Sequence, residues 1–150
     1  MARAIVVHDG RILLMKRNKY GQQFYCLPGG GVESGEQPDE VAVRELREET
    51  SVTAETVRQV YQEDITEFGL SDYFLCRYIS GEPAVAPSAP EAAANLEGHN
   101  TYEPMWVTMD ALSASKVLPG EVARRLQADL AAGSWPEDVI VIKEGEISSL

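Results

Sequence analysis

The segment RELREET, residues 44–50, carries three glutamates, Glu45, Glu48 and Glu49. On a helix that turns 100° per residue, with Glu45 at zero, Glu49 lies at about +40° and Glu48 at about −60°. The three carboxylates therefore share one face. That face is either a solvated surface softened by nearby arginines or a site for a hard divalent cation, since Mg²⁺ takes oxygen ligands from a few carboxylates together with substrate phosphates. The charge pattern alone leaves both interpretations open.

A glycine-rich segment stands immediately before these acids. Residues 27–36 read LPGGGVESGE, with three consecutive glycines at 29–31 and Glu36 in the following loop. Glycine lets the backbone approach a ligand closely, although a flexible turn would use the same residues. The position of the glycines beside the acidic helix favours a binding site.

Residues 30–52, GGVESGEQPDEVAVRELREETSV, resemble the Nudix box of the MutT-like hydrolases. The box is a fixed spacing of two glycines, glutamates, an arginine and aliphatic residues. It is matched here by Gly30, Glu36, Arg44, Glu45, Leu46, Glu48, Glu49 and Val52. Ser51 stands where the family pattern has a glycine that ends the helix in a left-handed conformation. The substitution changes the helix end and removes no metal ligand.

The resemblance implies a single α/β domain over residues 1–150, with a Nudix-type α/β/α sandwich around a mixed β-sheet. It also implies metal-dependent hydrolysis of a diphosphate linkage in a nucleoside diphosphate derivative or nucleoside triphosphate. Mg²⁺, or Mn²⁺, would be held by Glu45, Glu48, Glu49 and the Gly29 carbonyl. Glu45, Glu48 or a later acid, Glu103, would take the proton of the attacking water, and Arg44 would orient a glutamate.

Outside the box, the resemblance assigns two residues to substrate binding. Arg17, at the end of RILLMKR, matches an arginine that approaches the substrate in MutT-like proteins. Glu103, in YEPMWVTMDAL, is either such a site residue or an exposed strand residue. Four aromatic side chains could stack on a base, although aromatics at strand positions are more often part of the core; they are Tyr20, Phe24, Tyr73 and Trp106. Signatures of particular substrate subfamilies are absent, so the substrate stays open.

The elements that position these residues follow from periodicity and turn signals. Asp9-Gly10 predicts a hairpin, and residues 38–50 predict a helix with Ala42, Val43 and Leu46 facing the core. Strands are predicted at ETVRQVYQEDI, LSDYFLCRYIS and TYEPMWVTM, and a late helix at 119–132. The Pro- and Ala-rich residues 81–98 are interpreted as a loop or lid. The extension at 134–150 contains an apolar run, 139–142, as an added strand or a partner-facing edge.

Composition limits the partners. A net charge of −11 argues against broad contact with nucleic acid, and the absence of a spanning or signal segment predicts a cytoplasmic protein with no membrane contact. Cys26 and Cys76 are expected to be reduced. The expected partner is a small nucleotide, and a homodimer stays open. The alternative function is a catalytically weak nucleotide-binding sensor on the same fold.

Overall fold

Hydrogen bonds join nine strands of the described chain into one mixed sheet with helices on both faces. The computed structural model describes residues 1–65, 69–114, 117–118 and 120–143. The elements in chain order are β1 (Ala2–His8), β2 (Arg11–Lys19), β3 (Gln22–Cys26), β4 (Gly29–Gly30), α1 (Pro38–Thr50), β5 (Thr53–Ile65), β6 (Gly69–Ser80), α2 (Pro90–Glu97), β7 (Asn100–Thr108), α3 (Met109–Ala114), β8 (Val117–Leu118), α4 (Gly120–Ala132) and β9 (Ile140–Lys143).

The sheet runs in the order β8-β3-β2-β1-β6-β5-β9, with β4 paired to β1 and β7 paired to β2. The β1–β2 hairpin turns at Asp9 and Gly10, whose φ angles of 52° and 71° suit a tight two-residue hairpin turn. β1 and β6 pair in parallel, whereas β2 pairs antiparallel with both β3 and β7. The predicted hairpin and the three predicted strands are confirmed.

Two apolar clusters lie on opposite faces of the sheet. On one face, Ala42 and Leu46 of α1 are fully buried against β1 and β6. On the other face, Leu112 of α3 and Leu126 of α4 cover the sheet. This layering confirms the expected α/β/α sandwich. Val43, which was predicted to face the core, is only half-buried and packs at the edge of its cluster.

The segment predicted as a loop, 81–98, is only partly irregular, because residues 90–97 form α2. Pro90 occupies the first helical turn, alanines follow, and Gly98 ends the helix with φ 81°. Each of these choices favours a helix. α2 buries no side chain, and Leu96 is 91% exposed. Its function as a lid stays a prediction.

The C-terminal elements agree with the sequence where the structure describes them. α4 begins at Gly120, and Pro119, the predicted start of this helix, lies outside the described residues. β9 pairs in parallel with β5, from Tyr61 opposite Ile140 to Asp64 opposite Lys143, so the apolar run does form an added strand. Within the described ranges, no helix is long and apolar enough to cross a membrane.

Ser51 ends α1 with φ 66°, the left-handed conformation expected from its place in the box. Its amide donates to the Arg47 carbonyl oxygen at 2.9 Å, and its hydroxyl donates to the Ala84 carbonyl oxygen at 2.6 Å. The second bond could not be foreseen from the sequence. It holds the start of the 81–89 segment against the end of α1.

Ser51→Ala is expected to destabilise the fold by about 1 kcal/mol, since it keeps the left-handed strain and loses the hydrogen bond to Ala84. Ser51→Gly is expected to stay within about 0.5 kcal/mol of the natural chain, because relief of strain offsets the lost bond. Urea unfolding of both variants measures the difference. Equal stability of the alanine variant and the natural chain would show that the hydroxyl contributes nothing.

Candidate active site

Arg44 links three glutamates of the acidic segment. Its guanidinium donates a short hydrogen bond to Glu36, lies 3.4 Å from Glu45 Oε1, and has its Nε 3.8 Å from Glu48 Oε1. The hydrogen bond from Arg44, assisted by the amide of Glu33, lowers the pKa of Glu36 from its ordinary value. Arg44 therefore contacts three carboxylates, and its predicted function of orienting a glutamate for catalysis stays a prediction.

Glu49 is held by the glycine segment. The Gly29 amide donates to Glu49 Oε2 at 3.1 Å. The sequence interpretation gave Gly29 a different task, metal ligation through its carbonyl oxygen. The contact that the structure describes is made by the amide, which directs the Glu49 carboxylate, and ligation through the carbonyl oxygen stays a prediction.

Steric crowding explains why glycine is required at two of the three consecutive glycine positions. A Cβ on Gly29 would lie 2.2 Å from the Ala2 carbonyl oxygen, and a Cβ on Gly30 would lie 2.5 Å from Glu45 Cδ. A Cβ on Gly31 would meet nothing within 4 Å. Gly29 therefore packs against the backbone of β1, and Gly30 packs against the Glu45 side chain, with no room for a Cβ at either position.

A cleft of about 490 Å³ lies over this carboxylate face of α1. Glu45, Glu48 and Glu49 line one wall, and residues 86 and 88–91 line the other. The second wall includes Glu91, in the first turn of α2. Four carboxylates therefore border one cleft, and one of them comes from the segment that sequence reasoning treated only as a loop.

Glu49 is the electrostatically unusual carboxyl group of this cleft. Burial raises its pKa to about 7, and the charges of Glu45 and Glu91 act in the same direction, while the Gly29 amide opposes the shift. A cation in the cleft would relieve the repulsion among these carboxylates. The donors are all oxygens, which is the chemistry that Mg²⁺ and Mn²⁺ prefer.

In the part of the chain that the structure describes, no three His, Cys, Asp or Glu side chains are close enough together to form a complete metal cage. Mg²⁺ does not require one, because it is commonly bound through one or two carboxylates, waters and the phosphates of its substrate. The carboxylates of the cleft therefore fit a cation that is shared with a phosphorylated ligand.

A second cavity, of about 230 Å³, adjoins the first and shares Glu49 and Glu91 with it. Arg17, predicted to bind substrate, lines this cavity with Arg3 and Tyr102. The structure thus brings Arg17 close to the glutamates, although they are separated by more than 25 residues in the sequence.

Glu103 lies outside both cavities. Its neighbour Tyr102 lines the second cavity, and successive strand residues point to opposite faces of a sheet. Glu103 pairs across the strands with Lys16 and is exposed. The structure therefore does not support the predicted contact of Glu103 with substrate, and the alternative of an exposed strand residue agrees with its position.

A model of the NUDIX domain family matches residues 1–127. The chain belongs to the Nudix family. Its Nudix box, residues 30–52, supplies the Arg44 contacts and one wall of the acidic cleft.

Known Nudix proteins resemble this chain to different extents. An ADP-ribose pyrophosphatase from Methanocaldococcus jannaschii is 36% identical over 94 residues, which cover 59% of this chain and 56% of the relative. An oxidized purine nucleoside triphosphate hydrolase from Danio rerio is 29% identical over 124 residues, which cover 79% of this chain and 71% of the relative. The crystal structure of an ADP-ribose pyrophosphatase from Streptococcus suis superposes with a TM-score of 0.65 at 21% identity and shares the fold; the match covers 93% of this chain and 96% of that one. This chain thus spans little more than half of the archaeal relative.

Sequence reasoning missed three residues that line the acidic cleft or the second cavity: Arg3, Glu91 and Tyr102. Arg3 lies on the first strand, and Glu91 lies in a segment interpreted as a connector. Tyr102 directly precedes Glu103, the residue of this strand that the sequence interpretation assigned to substrate binding. The alternation of strand residues would have identified Tyr102 only if the buried face of β7 had been known.

The raised pKa of Glu49 predicts a pH-dependent stability of the metal-free protein. Between pH 4.5 and about 7 the unfolded chain has lost the Glu49 proton and the folded chain retains it, so this contribution to stability falls as pH rises through that window. Glu49→Gln, which stays neutral, is expected to raise the melting temperature relative to the natural chain by more than about 2 °C at pH 8. At pH 4.5 the difference is expected to be small.

Glu48→Gln is the matched control for this measurement, because the Glu48 side chain is 55% exposed. It removes the same charge from the same helix face without removing a buried carboxylate. A melting-temperature difference for Glu49→Gln that is equal at both pH values would contradict the expected retention of the Glu49 proton.

Proposed function

We propose that this chain is a metal-dependent pyrophosphohydrolase that cleaves a diphosphate linkage in a nucleoside diphosphate derivative or a nucleoside triphosphate. The observation that carries the proposal is the position of Glu49. Its carboxylate is fixed by the Gly29 amide at 3.1 Å, borders a cleft with three further carboxylates, and faces a cavity that Arg17 lines.

Glu45, Glu48 and Glu49 would hold one or more Mg²⁺ or Mn²⁺ ions, completed by waters and the phosphates of the substrate, and Glu91 stands on the opposite wall. When bound, such a cation supplies charge neutralisation of the diphosphate and Lewis-acid activation. The Gly29 amide orients the Glu49 carboxylate, and Arg44 orients Glu45 and Glu48. Arg44 acts as a positioning residue, since its contacts are with carboxylates.

Either Glu45 or Glu48 takes the proton of the attacking water in this proposal. Glu48 has the more open side chain, 55% exposed against 22% for Glu45. Glu45 is the closer of the two to the glycine segment, since its side chain packs over Gly30. Glu103 is not a candidate for this step, because it lines neither cavity.

The relatives support two substrate classes. Those named ADP-ribose pyrophosphatase favour a diphosphate between two sugars, and the one named oxidized purine nucleoside triphosphate hydrolase favours a triphosphate. Relatives named RNA pyrophosphohydrolase match over only 52 and 49 residues. A small-molecule nucleotide is therefore the proposed substrate. A cytoplasmic location and a homodimer stay predictions from the sequence.

The test is turnover of a nucleotide panel that contains ADP-ribose and the common and oxidised nucleoside triphosphates. Each is incubated with Mg²⁺, with Mn²⁺ and with a chelator, and phosphorus NMR identifies the products. Metal-dependent cleavage within the diphosphate, lost in Glu49→Gln, is the expected result. Saturable nucleotide binding without turnover of any member would overturn the proposal and favour the sensor alternative.

A further inference from the structure

Two arginines that form no salt bridge within the described residues lie at the end of an acidic cleft. The chain has 13 lysines and arginines against 24 aspartates and glutamates, so counter-ions are abundant. Within the described ranges, however, the ion pairs include neither Arg3 nor Arg17. Both line the second cavity. The charge of Arg3 acts on the Glu49 carboxylate, which lines the same cavity, but neither guanidinium is bonded to a carboxylate of the described residues. A half-buried guanidinium whose donors are not taken up by a carboxylate favours an anion from outside the chain.

Arg3 is held in place from both sides of its strand. Its Nη1 donates to the Leu27 carbonyl oxygen at 2.7 Å, and its Cγ packs over Gly29, where an added Cβ would lie 2.8 Å away. It also contacts the Tyr73 hydroxyl, which donates to Glu63. A guanidinium has five N–H donors, so these contacts leave donors for a ligand.

Arg17 is held between two aromatic rings. Its guanidinium carbon lies 3.7 Å from the centre of the Tyr102 ring and 5.5 Å from that of Phe24. Its Nε donates to the Thr101 carbonyl oxygen at 3.2 Å, and Nη2 donates to Asn100. The side-chain amide of Asn95 in α2 donates to the Tyr102 carbonyl oxygen at 2.9 Å and accepts from the Tyr102 backbone amide at 2.6 Å, which joins α2 to the residue whose ring covers Arg17.

The acidic cleft and the second cavity adjoin each other, and the charge of the lining side chains changes from the first to the second. Glu49 and Glu91 border both cavities and lie where they join, whereas Arg3, Arg17 and Tyr102 border only the second. The far end is therefore cationic. Its volume of about 230 Å³ is below the roughly 300–1,000 Å³ of pockets that enclose a whole ligand. It fits one group of a substrate whose remainder occupies the acidic cleft.

We propose that Arg3, together with Arg17, forms an anion subsite for a phosphoryl group beyond the diphosphate that is cleaved, and that Arg3 thereby sets substrate preference. The group is either the terminal phosphate of a nucleoside triphosphate or a monophosphate on a ribose. The effect of Arg3 on substrate preference rests on the proposed function. The anion subsite itself does not rest on it, because phosphate binding can be measured without turnover.

The first experiment measures binding of inorganic phosphate to the metal-free protein by calorimetry. Arg3→Met removes the charge and keeps an unbranched apolar stem, and Arg77→Met is the matched control, since Arg77 is exposed and pairs with Glu55 away from both cavities. Phosphate affinity is expected to fall at least about tenfold in Arg3→Met and to stay unchanged in Arg77→Met. Arg3→Lys, which keeps the charge, is expected to recover part of the affinity.

Absence of phosphate binding to the natural chain, or equal affinity in all variants, would overturn the subsite. If Arg3→Met does not fold, as judged by its melting curve, Arg3→Lys and Arg17→Met decide the question. Arg17→Met is expected to lower the affinity as much as Arg3→Met does.

The second experiment compares three substrates: ADP-ribose, its 2′-phosphorylated form and a nucleoside triphosphate. Arg3→Met is expected to raise KM for whichever phosphorylated substrate uses the subsite at least about fivefold more than it raises KM for ADP-ribose. The substrate affected identifies the source of the phosphoryl group. An equal change for all three would overturn the preference while the proposed function stands. Lack of turnover with every substrate would reject the proposed function and leave the phosphate measurement to decide the subsite.

Discussion

Glu49→Gln is expected to lower kcat for the best substrate at least about tenfold at saturating Mg²⁺, equivalent to about 1.4 kcal/mol of barrier. Glutamine keeps the shape and can still accept the hydrogen bond that the Gly29 amide donates at 3.1 Å. It removes the charge that a cation requires in the cleft. Steady-state kinetics over a range of Mg²⁺ concentrations measures the effect. Glu48→Gln is expected to show a loss of the same order.

Glu40→Gln is the control for this result. Glu40 lies on the same helix as Glu49, is exposed, and lines neither the acidic cleft nor the second cavity. Its replacement is expected to leave kcat and the Mg²⁺ requirement unchanged. Full activity of Glu49→Gln at saturating Mg²⁺ would remove Glu49 from the proposed metal site, and an equal loss in Glu40→Gln would point to a general effect of charge.

Gly29→Ala is expected to destabilise the protein by more than about 2 kcal/mol. The new Cβ would lie 2.2 Å from the Ala2 carbonyl oxygen and 2.7 Å from Arg3 Cα. Both are backbone atoms, so β1 and β4 would have to separate. Such a shift would also move the amide that holds Glu49. Chemical denaturation measures the loss of stability, and activity is expected to fall with it.

Gly31→Ala provides the comparison within the same run of glycines. A Cβ at position 31 meets nothing within 4 Å, and Gly31 is not among the residues with positive φ. Its stability is expected to stay within about 0.5 kcal/mol of the natural chain. Equal stability of the two variants would show that the contact between β4 and β1 yields without cost.

Local rules account for most of the elements that sequence analysis placed correctly. Asp9-Gly10 specifies a hairpin turn, and Pro38 begins α1. Each depends on the dihedral preferences of one or two residues. The same local rules would have predicted α2, because Pro90 suits the first helical turn and the alanines favour a helix. The segment was interpreted as a loop because its prolines were given too much weight.

The sequence by itself determined the carboxylate face of α1, because the positions of Glu45, Glu48 and Glu49 on a helix follow from its pitch alone. It also determined the family, since the spacing of the box is local. Only the tertiary structure decided what faces those carboxylates. Burial raises the pKa of Glu49, α2 brings Glu91 to the opposite wall, and the sheet register sets Arg17 and Tyr102 in the adjoining cavity with Glu103 turned away. These relations depend on contacts between residues far apart in the chain, which no local spacing encodes.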